Sequence, residues 1–410
     1  MKSTKTIGMI AYTEYSRDPR VRRYAEALAS SGFVVDCFVL KEKNQTSQKD
    51  NGINLQYLNI EQYRGSSNMA YILSYLSFFL RTFFHVSIKN LFRYKIIHVH
   101  NMPDFLVFTT IFNKIFGAKV ILDIHDTMPE IYKAKFQPPL SYIFYYILLF
   151  QEKLSCWYAN LVINVHQPHL EHNVKYHGLN VKKAHIISNY ADTNLFNLHQ
   201  YQHIDSNKDQ NHYTLIYHGT IAERFGLNVI LEGLGKALRT YSKISMNIYG
   251  KGDGVNDLKQ TIDQYNLSDH VKYHGQIPLS DIPEKLYNSD IGIVSYHISE
   301  ATNLMLPLKL MENIAMGLPT MTVRNKAIDY YFEDDELIYY IAGDADSFCD
   351  QLLDLVQSPN SLKTFAIKAP QINNRLNWED EKVKYLNIIE SIIKDRPMNN
   401  YKTITNMKKS

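Results

Sequence analysis

Cysteine is scarce in this chain, whose 410 residues contain three, at positions 37, 156 and 349. Their wide separation fits neither a disulfide framework nor the close spacing of a metal site, and it favours a reducing, cytoplasmic setting. The apolar run at 6–12 is too short for the core of a signal peptide, so we expect no secretory leader. The length is too great for one hydrophobic core and predicts two domains.

A strong excess of one charge is also lacking, since the net charge is +3. The charge is nevertheless uneven along the chain. Residues 1–195 contain 22 Lys and Arg against 14 Asp and Glu, a net charge of +8, whereas residues 196–410 contain 22 against 27, a net charge of −5. A basic first half is attracted to an anionic partner. Because no compact Lys/Arg-and-aromatic RNA motif occurs, we expect no nucleic acid and favour an anionic membrane surface.

Two runs rich in aromatic residues, at 65–80 and 136–151, lack charge altogether. Each has 16 residues, fewer than the roughly 20 that a membrane-spanning helix needs. Two interpretations stay open: a buried core helix, or a helix that lies on one face of a membrane. Basic residues near both runs favour the membrane.

The first half begins with a β-α-β pattern. An apolar strand at 6–12 leads into a loop that carries Arg17, Asp18 and Arg20, and a helix at about 19–31 follows. This order is typical of a doubly wound α/β sheet, whose ligands bind at the carboxyl ends of the strands. The sequence lacks the G-x-G-x-x-G fingerprint of dinucleotide-binding proteins there.

Histidine and aspartate mark two further strand ends. His98 and His100 close one predicted strand, and Asp123, His125 and Asp126 follow the next. These residue types could hold a metal ion, but nothing in the pattern brings both strand ends onto one ion. We therefore favour a substrate crevice lined by these side chains over a metal site.

The second half repeats the alternation of strands and helices, with strand ends at Gly219 and Gly250. Its most informative stretch is 301–320, where apolar residues at helical spacing predict a helix. Pro307 suits the first turn of that helix, and Gly317 ends it.

The start of this helix predicts an anion site, because free backbone N–H groups and Lys309 would lie together there. Glu312, about one turn further on, could accept hydrogen bonds from the hydroxyls of a ribose. Arg224, in the loop after Gly219, would add a second cation for a diphosphate. The alternatives are a packed amphipathic helix with a solvated edge and an arginine on a surface loop.

The order and spacing of several motifs resemble glycosyltransferase family 4, whose members have the GT-B fold. The matching pieces run along nearly the whole chain. They are Asp18-Pro19-Arg20-Val21-Arg22-Arg23, His98-Val99-His100-Asn101, the segment 123–130, Ser188-Asn189-Tyr190-Ala191-Asp192 with Phe196, His218-Gly219-Thr220 with Glu223-Arg224, and Pro-x-Lys-x-x-Glu-x-x-Ala-x-Gly-x-Pro at 307–319.

The resemblance implies two Rossmann-like, doubly wound domains that face each other across a cleft. We divide the chain accordingly. The parts are an acceptor-binding, membrane-facing domain at 1–197, a linker at 198–211, a nucleotide-sugar-binding domain at 212–375, a helix at 376–396 that crosses back to the first domain, and a flexible tail at 397–410.

The resemblance also implies retaining transfer of a sugar from a nucleotide sugar, without a cofactor and without a metal at the reacting centre. In this scheme His125 is the catalytic residue, Arg224 and Lys309 hold the diphosphate, and Glu312 holds the ribose. Where the family usually has a first glutamate, this chain has Leu304. The full nucleotide-sugar set is Gly219, Arg224, Gly250, Leu304, Pro307, Leu308, Lys309 and Glu312, and the acceptor-side set is Arg17, Asp18, Arg20, His100 and Asp126.

The function predicted from the sequence is transfer from a UDP- or GDP-linked sugar to a lipid-linked or saccharide acceptor, in surface polysaccharide or glycolipid synthesis. We expect the protein at the inner face of the cell membrane, as a peripheral enzyme. Two alternatives remain: a non-catalytic GT-B partner of another transferase, suggested by Leu304, and a nucleotide-sugar epimerase. The oligomeric state stays open.

Overall fold

Two parallel sheets, one in each half of the chain, organise the computed structural model, which describes residues 6–42, 49–63, 68–135, 140–201 and 212–395. The chain divides into two units, which we describe separately. One contains Met1–Asn189 together with Glu379–Ser410, and the other contains Tyr190–Trp378. Residues 202–211 of the predicted linker and the whole predicted tail lie outside the described residues.

The first sheet has eight strands in the order β3-β4-β2-β1-β5-β6-β7-β8, and all its neighbours are parallel except β3 and β4. The central strands are buried along their whole length, as expected for a parallel sheet covered on both faces. The strands are β1 (Thr6–Ile10), β2 (Val34–Val39), β3 (Lys49–Asp50), β4 (Ile53–Tyr57), β5 (Ile96–His100), β6 (Lys119–Ile124), β7 (Leu161–Asn164) and β8 (Ala184–Ile186).

The second sheet has six strands, all parallel, in the order β11-β10-β9-β12-β13-β14. The two sheets confirm the predicted α/β class. The strands are β9 (Tyr213–His218), β10 (Ile244–Tyr249), β11 (Val271–Gly275), β12 (Ile291–Val294), β13 (Thr320–Val323) and β14 (Ile338–Tyr340).

Helices connect the parallel strands, because a parallel neighbour can be reached only by a crossover. The first unit contains α1 (Pro19–Ser30), α2 (Asn68–Phe83), α3 (Ile111–Ile115), α4 (Met128–Lys135), α5 (Leu140–Tyr158) and α6 (Gln167–Tyr176). The second contains α7 (Leu227–Leu238), α8 (Val255–Gln264), α9 (Ile282–Tyr287), α10 (Leu308–Ala315), α11 (Ile328–Tyr331), α12 (Ala345–Gln357) and α13 (Pro359–Arg375). The last helix, α14 (Trp378–Ile393), belongs from Glu379 onward to the first unit.

Each sheet reverses its strand order at a central strand. In the first sheet β1 lies between β2 and β5, and in the second β9 lies between β10 and β12. Connections leave such a strand pair in opposite directions, which opens a crevice at the carboxyl ends of the strands. We therefore expect the site residues of each unit at this edge of its sheet.

The two aromatic runs form helices with exposed apolar faces, so the interpretation as buried core helices is wrong. On α2 the large side chains of Met69, Leu73 and Leu80 are 66%, 58% and 57% exposed. On α5 those of Tyr146 and Phe150 are 65% and 68% exposed. Residues 65–67 and 136–139 of these runs lie outside the described residues.

By length and composition, the helical run Met69–Lys89 could also cross a membrane, the one such run in the part of the chain that the structure describes. It continues α2 through a π-helical turn at Phe84–Lys89. Only 17% of its apolar window is buried. The same composition is found in core helices of soluble proteins, so this run alone does not define a span.

Candidate functional site

The second unit places the predicted anion site at the carboxyl edge of its sheet, where α10 begins. Leu310, Met311 and Ile314 form the buried apolar face that fixes this helix on the sheet. Pro307 precedes the helix in an extended conformation and is its N-cap, one position earlier than the sequence predicted. Leu308 is therefore the first helical residue, and Lys309 lies in the first turn.

The amine nitrogen of Lys309 is buried and has no hydrogen-bond partner among the described residues, although the residue as a whole is partly exposed. Its Nζ lies 4.0 Å from the ring centroid of Tyr217 and 4.6 Å from that of Phe225. Burial lowers the pKa of Lys309 to about 7, Glu312 opposes this shift and Arg224 adds to it. An anion that reached this amine would favour its charged form and pair with it.

Glu312 lies one turn after Lys309 and is 7% exposed. His218, the last residue of β9, places its Nδ1 3.6 Å from a carboxylate oxygen of Glu312. Its Nε2 lies 3.1 Å from the side-chain oxygen of Asn313. Burial lowers the pKa of His218 to about 4, so this imidazole is neutral at pH 7. Sequence reasoning had not assigned His218 and Asn313 to the site.

Arg224 lies in a 3₁₀ turn at Glu223–Phe225 and is exposed. Its backbone carbonyl accepts a hydrogen bond of 2.8 Å from the N–H of His297, which fixes the loop. Its guanidinium lies 4.7 Å from the ring centroid of Phe225, the ring that also faces Lys309. The two predicted cations therefore share one aromatic neighbour.

Backbone packing explains a glycine at position 250. A Cβ there would lie 1.8 Å from the carbonyl oxygen of Gly219, and the φ of Gly250 is +149°. Both glycines lie beyond their strand ends, so the loops after β9 and β10 approach each other closely. Leu304, by contrast, is 7% exposed and offers no polar side-chain group to a ligand.

The first unit gathers a buried charged cluster around Asp123, in β6. The Nε and Nη2 of Arg20 donate to its two carboxylate oxygens over 3.0 Å and 2.8 Å. Burial would raise the pKa of Asp123, but Arg20, His125 and His100 hold it well below its usual value. Arg20 is only 4% exposed, so its guanidinium pairs with Asp123 in the interior of the unit.

Three histidines approach the same carboxylate, His98 and His100 from β5 and His125 from directly after β6. The nitrogens nearest to Asp123 lie 3.2 Å away for His125, 3.5 Å for His100 and 3.7 Å for His98. Burial lowers the pKa of His98 and of His100, and keeps both neutral. The side chain of His125 is 17% exposed, whereas the other two are fully buried. His125 is thus the histidine of this group that solvent or substrate can reach.

The side chains of His98, His100 and Asp123 are close enough for one metal ion, since their ligand atoms lie within 4.8 Å of one another. Arg20 already donates to both oxygens of Asp123, and its positive charge would repel a cation. The tyrosine hydroxyl of Tyr385, on α14, lies 2.9 Å from the Nδ1 of His98. These residues therefore fit a hydrogen-bonded support for His125 better than a metal site.

Of the remaining predicted residues of the first unit, Arg17, Asp18 and Asp126 lie in connections after strands, and His100 is the last residue of β5. Arg17 is exposed and pairs with Glu14 over 2.8 Å, while the carboxylate of Asp18 caps α1 by accepting from the N–H groups of Arg20 and Val21. Asp126 is exposed. His100 is buried beneath His125. Each unit therefore groups its own predicted residues, and their roles stay predictions.

Comparisons with known proteins agree with the motifs. The family model described as Glycosyl transferases group 1 matches residues 200–372, and that of Glycosyltransferase Family 4 matches residues 20–195. A chitobiosyldiphosphodolichol beta-mannosyltransferase of Candida albicans is 21% identical over 349 residues, covering 79% of this chain and 74% of the relative.

Solved structures share the fold. A sucrose-phosphate synthase from Thermosynechococcus elongatus has a TM-score of 0.74 at 16% identity, and the match covers 95% of this chain and 100% of the synthase chain. The Anabaena protein HepE, solved with UDP and glucose, has a TM-score of 0.69 at 14% identity, and the match covers 94% of this chain and 100% of the HepE chain. This chain belongs to the group 1, family 4 glycosyltransferases and has their GT-B fold.

Proposed function

We propose that this enzyme transfers a sugar, with retention of configuration, from a UDP- or GDP-linked donor to a lipid-linked or saccharide acceptor. The product belongs to the synthesis of surface polysaccharide or glycolipid. The enzyme works as a peripheral protein at the inner face of the membrane. One observation carries the donor half of this proposal: a lysine at the start of a helix whose amine nitrogen is buried and has no hydrogen-bond partner among the described residues.

The donor diphosphate pairs with Lys309 in this proposal. A buried ammonium costs free energy until an anion neutralises it, and a diphosphate supplies that charge. Arg224 contacts the same aromatic ring and adds a flexible second cation. The two cations stabilise the negative charge that builds on the departing nucleotide, which is the main electrostatic task of this reaction.

The ribose of the donor binds to Glu312. This carboxylate lies one turn along α10 from Lys309, so a ribose could reach it from a diphosphate at the helix start. The neutral His218 and Asn313 behind it limit how the carboxylate moves. HepE, solved with UDP and glucose, motivates testing uridine donors first, and the Candida relative, named for mannosyl transfer, motivates including mannose among the donor sugars.

His125 acts near the donor sugar in this proposal. The buried Asp123 and His100 hold its ring through its Nε2, at 3.2 Å and 3.1 Å. The amide oxygen of Asn101 accepts from its backbone N–H over 2.8 Å, which fixes the loop itself. Arg17 and Asp126, both exposed in this unit, are the residues we assign to the acceptor.

Membrane binding is proposed for α2 and α5. Their exposed apolar side chains recur at helical spacing and form one stripe on each helix, and both helices pack against the segment Asp104–Thr110. Cations adjoin the stripes: Lys89 lies 5.1 Å from the ring of Phe84, and Lys133 lies 5.3 Å from that of Tyr145. The stripes consist of Met69, Ile72, Leu73, Leu76 and Leu80 on α2, and Ile143, Tyr146, Ile147, Phe150, Leu154 and Trp157 on α5.

The donor site is tested by thermal stabilisation with UDP, GDP, ADP and their sugars. We expect one base to raise the melting temperature of the wild type and to lose this effect in Glu312→Ala. Glu284→Ala, an exposed glutamate of the same unit, is the matched control and should retain it. If no nucleotide shifts the wild type, or if Glu312→Ala responds like the control, the proposed donor site is wrong.

Membrane binding is tested by sedimentation with vesicles that contain or lack anionic lipid. The wild type should bind anionic vesicles at low salt, and a Leu73→Asp variant should bind more weakly. Since Leu73 is already exposed, this substitution should leave folding unchanged. Retention is tested separately, by NMR assignment of the anomeric configuration of the product, and an inverted product would contradict that part of the proposal.

A further inference from the structure

Four side chains from three helices form a second buried cluster in the first unit, which we call the Glu130 cluster. They are Glu130 on α4, Glu152 on α5, His172 on α6, and His177 just after it. One oxygen of Glu130 lies 2.9 Å from the Nε2 of His172 and 2.9 Å from the Nε2 of His177. An oxygen of Glu152 lies 2.6 Å from the other nitrogen, Nδ1, of His177.

The donor atoms of the Glu130 cluster suit zinc. Two imidazole nitrogens and one carboxylate oxygen, all within 4.8 Å of one another, form a common set of three zinc ligands. Ligands about 2.0–2.1 Å from a tetrahedral ion lie about 3.3 Å apart, so the two distances of 2.9 Å from the Glu130 oxygen to the imidazole nitrogens would lengthen only slightly.

Glu152 occupies the place of an orienting carboxylate. In many metal sites a ligating histidine donates its second N–H to a carboxylate, which fixes the ring and the tautomer. His177 makes this contact with Glu152 through Nδ1, so its Nε2 faces Glu130 and His172. Arg20 pairs with the carboxylate of the Asp123 cluster, whereas the described contacts of Glu130 and Glu152 are with histidines.

Several buried polar atoms of this region lack hydrogen-bond partners among the described residues. They include the second carboxylate oxygens of Glu130 and of Glu152, in side chains that are 2% and 1% exposed. Both ring nitrogens of the neighbouring His169, which is 1% exposed, also lack partners. Two buried carboxylates bring two negative charges to this cluster, and a divalent cation would neutralise them.

We propose that Glu130, His172 and His177 bind a zinc ion, with Glu152 orienting His177. The side chain of His172 is 16% exposed, so the ion would enter from that side, and a water molecule would complete its coordination. The ion joins α4 to α6. Since α4 follows directly after the loop of His125 and Asp126, zinc makes that loop and its helix more rigid.

The proposal is tested with full-length protein that carries no histidine tag. After dialysis against chelator and then against zinc, elemental analysis should give about one equivalent of zinc per chain. Loss of zinc should lower the melting temperature, and re-addition should restore it. Cobalt as a probe should give the intense visible absorption of a four-coordinate site.

Three variants separate a metal site from an ion-paired histidine network. His172→Ala removes the ligand nearest the surface and should abolish stoichiometric zinc binding. Glu152→Gln should weaken zinc binding by roughly 10–100-fold while the protein stays folded. His85→Ala changes a partly exposed histidine of the same unit, outside the Glu130 cluster, and should bind zinc as the wild type does.

Two results would overturn the proposal. One is a folded wild type that binds no zinc and whose melting temperature is insensitive to chelator, which would leave the cluster as hydrogen-bonded ion pairs. The other is zinc that remains bound at equal stoichiometry in His172→Ala and in Glu152→Gln, which would assign it to other histidines of the chain.

Discussion

At pH 8, binding of a nucleotide sugar should take up about 0.9 proton, because the free enzyme holds Lys309 mostly as the neutral amine. Burial lowers the pKa of this amine to about 7, so roughly one tenth of the molecules carry its charge at pH 8. A bound diphosphate favours the ammonium and raises its pKa above the range of the experiment. At pH 7 the uptake falls to about half a proton.

The sign follows from the depressed pKa of the free enzyme. The bound state holds more protons than the free state, so affinity is greatest below pH 7 and falls as the pH rises above it. The loss approaches tenfold for each pH unit. The ligand must be a nucleotide sugar, because its diester phosphates do not titrate between pH 6 and pH 9.

Calorimetry in buffers of different ionisation enthalpy measures this proton uptake directly. Lys309→Arg keeps the positive charge at every pH tested, so its binding should take up no proton and depend little on pH. Lys259→Arg is the matched control, since Lys259 also lies near an aromatic ring but is exposed. If the wild type binds the donor with equal affinity at pH 7 and pH 9 and without proton uptake, Lys309 does not contact the diphosphate.

Three further perturbations test the proposed nucleotide site of the second unit and the Asp123 cluster of the first. Glu312→Gln should weaken nucleotide binding by about 1.5–3 kcal/mol, the value of a hydrogen bond to a charged group, in the same calorimeter. The pKa of His218 is about 4 in the folded protein and near 6.5 in the unfolded chain, so the unfolded state binds more protons and the stability decreases as the pH is lowered between these values. Urea unfolding should therefore show that His218→Gln loses about 2 kcal/mol less stability than the wild type between pH 7.5 and pH 5. Asp123→Asn should cost about 3–5 kcal/mol in urea unfolding at pH 7, because Arg20 is left buried without its counter-charge, and a loss below 1 kcal/mol would contradict this role.

Local pattern was enough to predict much of the fold. The strand β10 ends at Tyr249, directly before Gly250, where the sequence predicted a strand end, and α10 begins one residue after Pro307. The short antiparallel strand β3, at Lys49–Asp50, was not predicted, because two polar residues carry no strand signal and pair only through their neighbour β4.

The candidate site was predictable where its residues share one element. Lys309 and Glu312 lie one turn apart on a single helix, so their spacing in the sequence already placed them together. The pairing of Arg20 with Asp123 joins residues that are 103 positions apart, and a local sequence pattern cannot predict such a contact. For the same reason the sequence motif suggested that Arg20 faces the acceptor, whereas its guanidinium is buried against Asp123.

For the two aromatic helices, α2 and α5, the sequence did not decide the environment of the apolar side chains. Hydropathy alone cannot distinguish a helix face that packs against the core from one that contacts lipid. Taken alone, the six exposed apolar side chains of the α5 stripe would each gain about 1 kcal/mol on leaving water. The sum, about 6 kcal/mol, is close to the marginal membrane affinity of a single myristoyl chain. Stable binding therefore needs a second signal, which the net charge of +8 over residues 1–195 can supply through anionic lipid. We expect binding to weaken sharply as salt is raised, and salt-independent binding would instead indicate that 69–89 inserts through the bilayer.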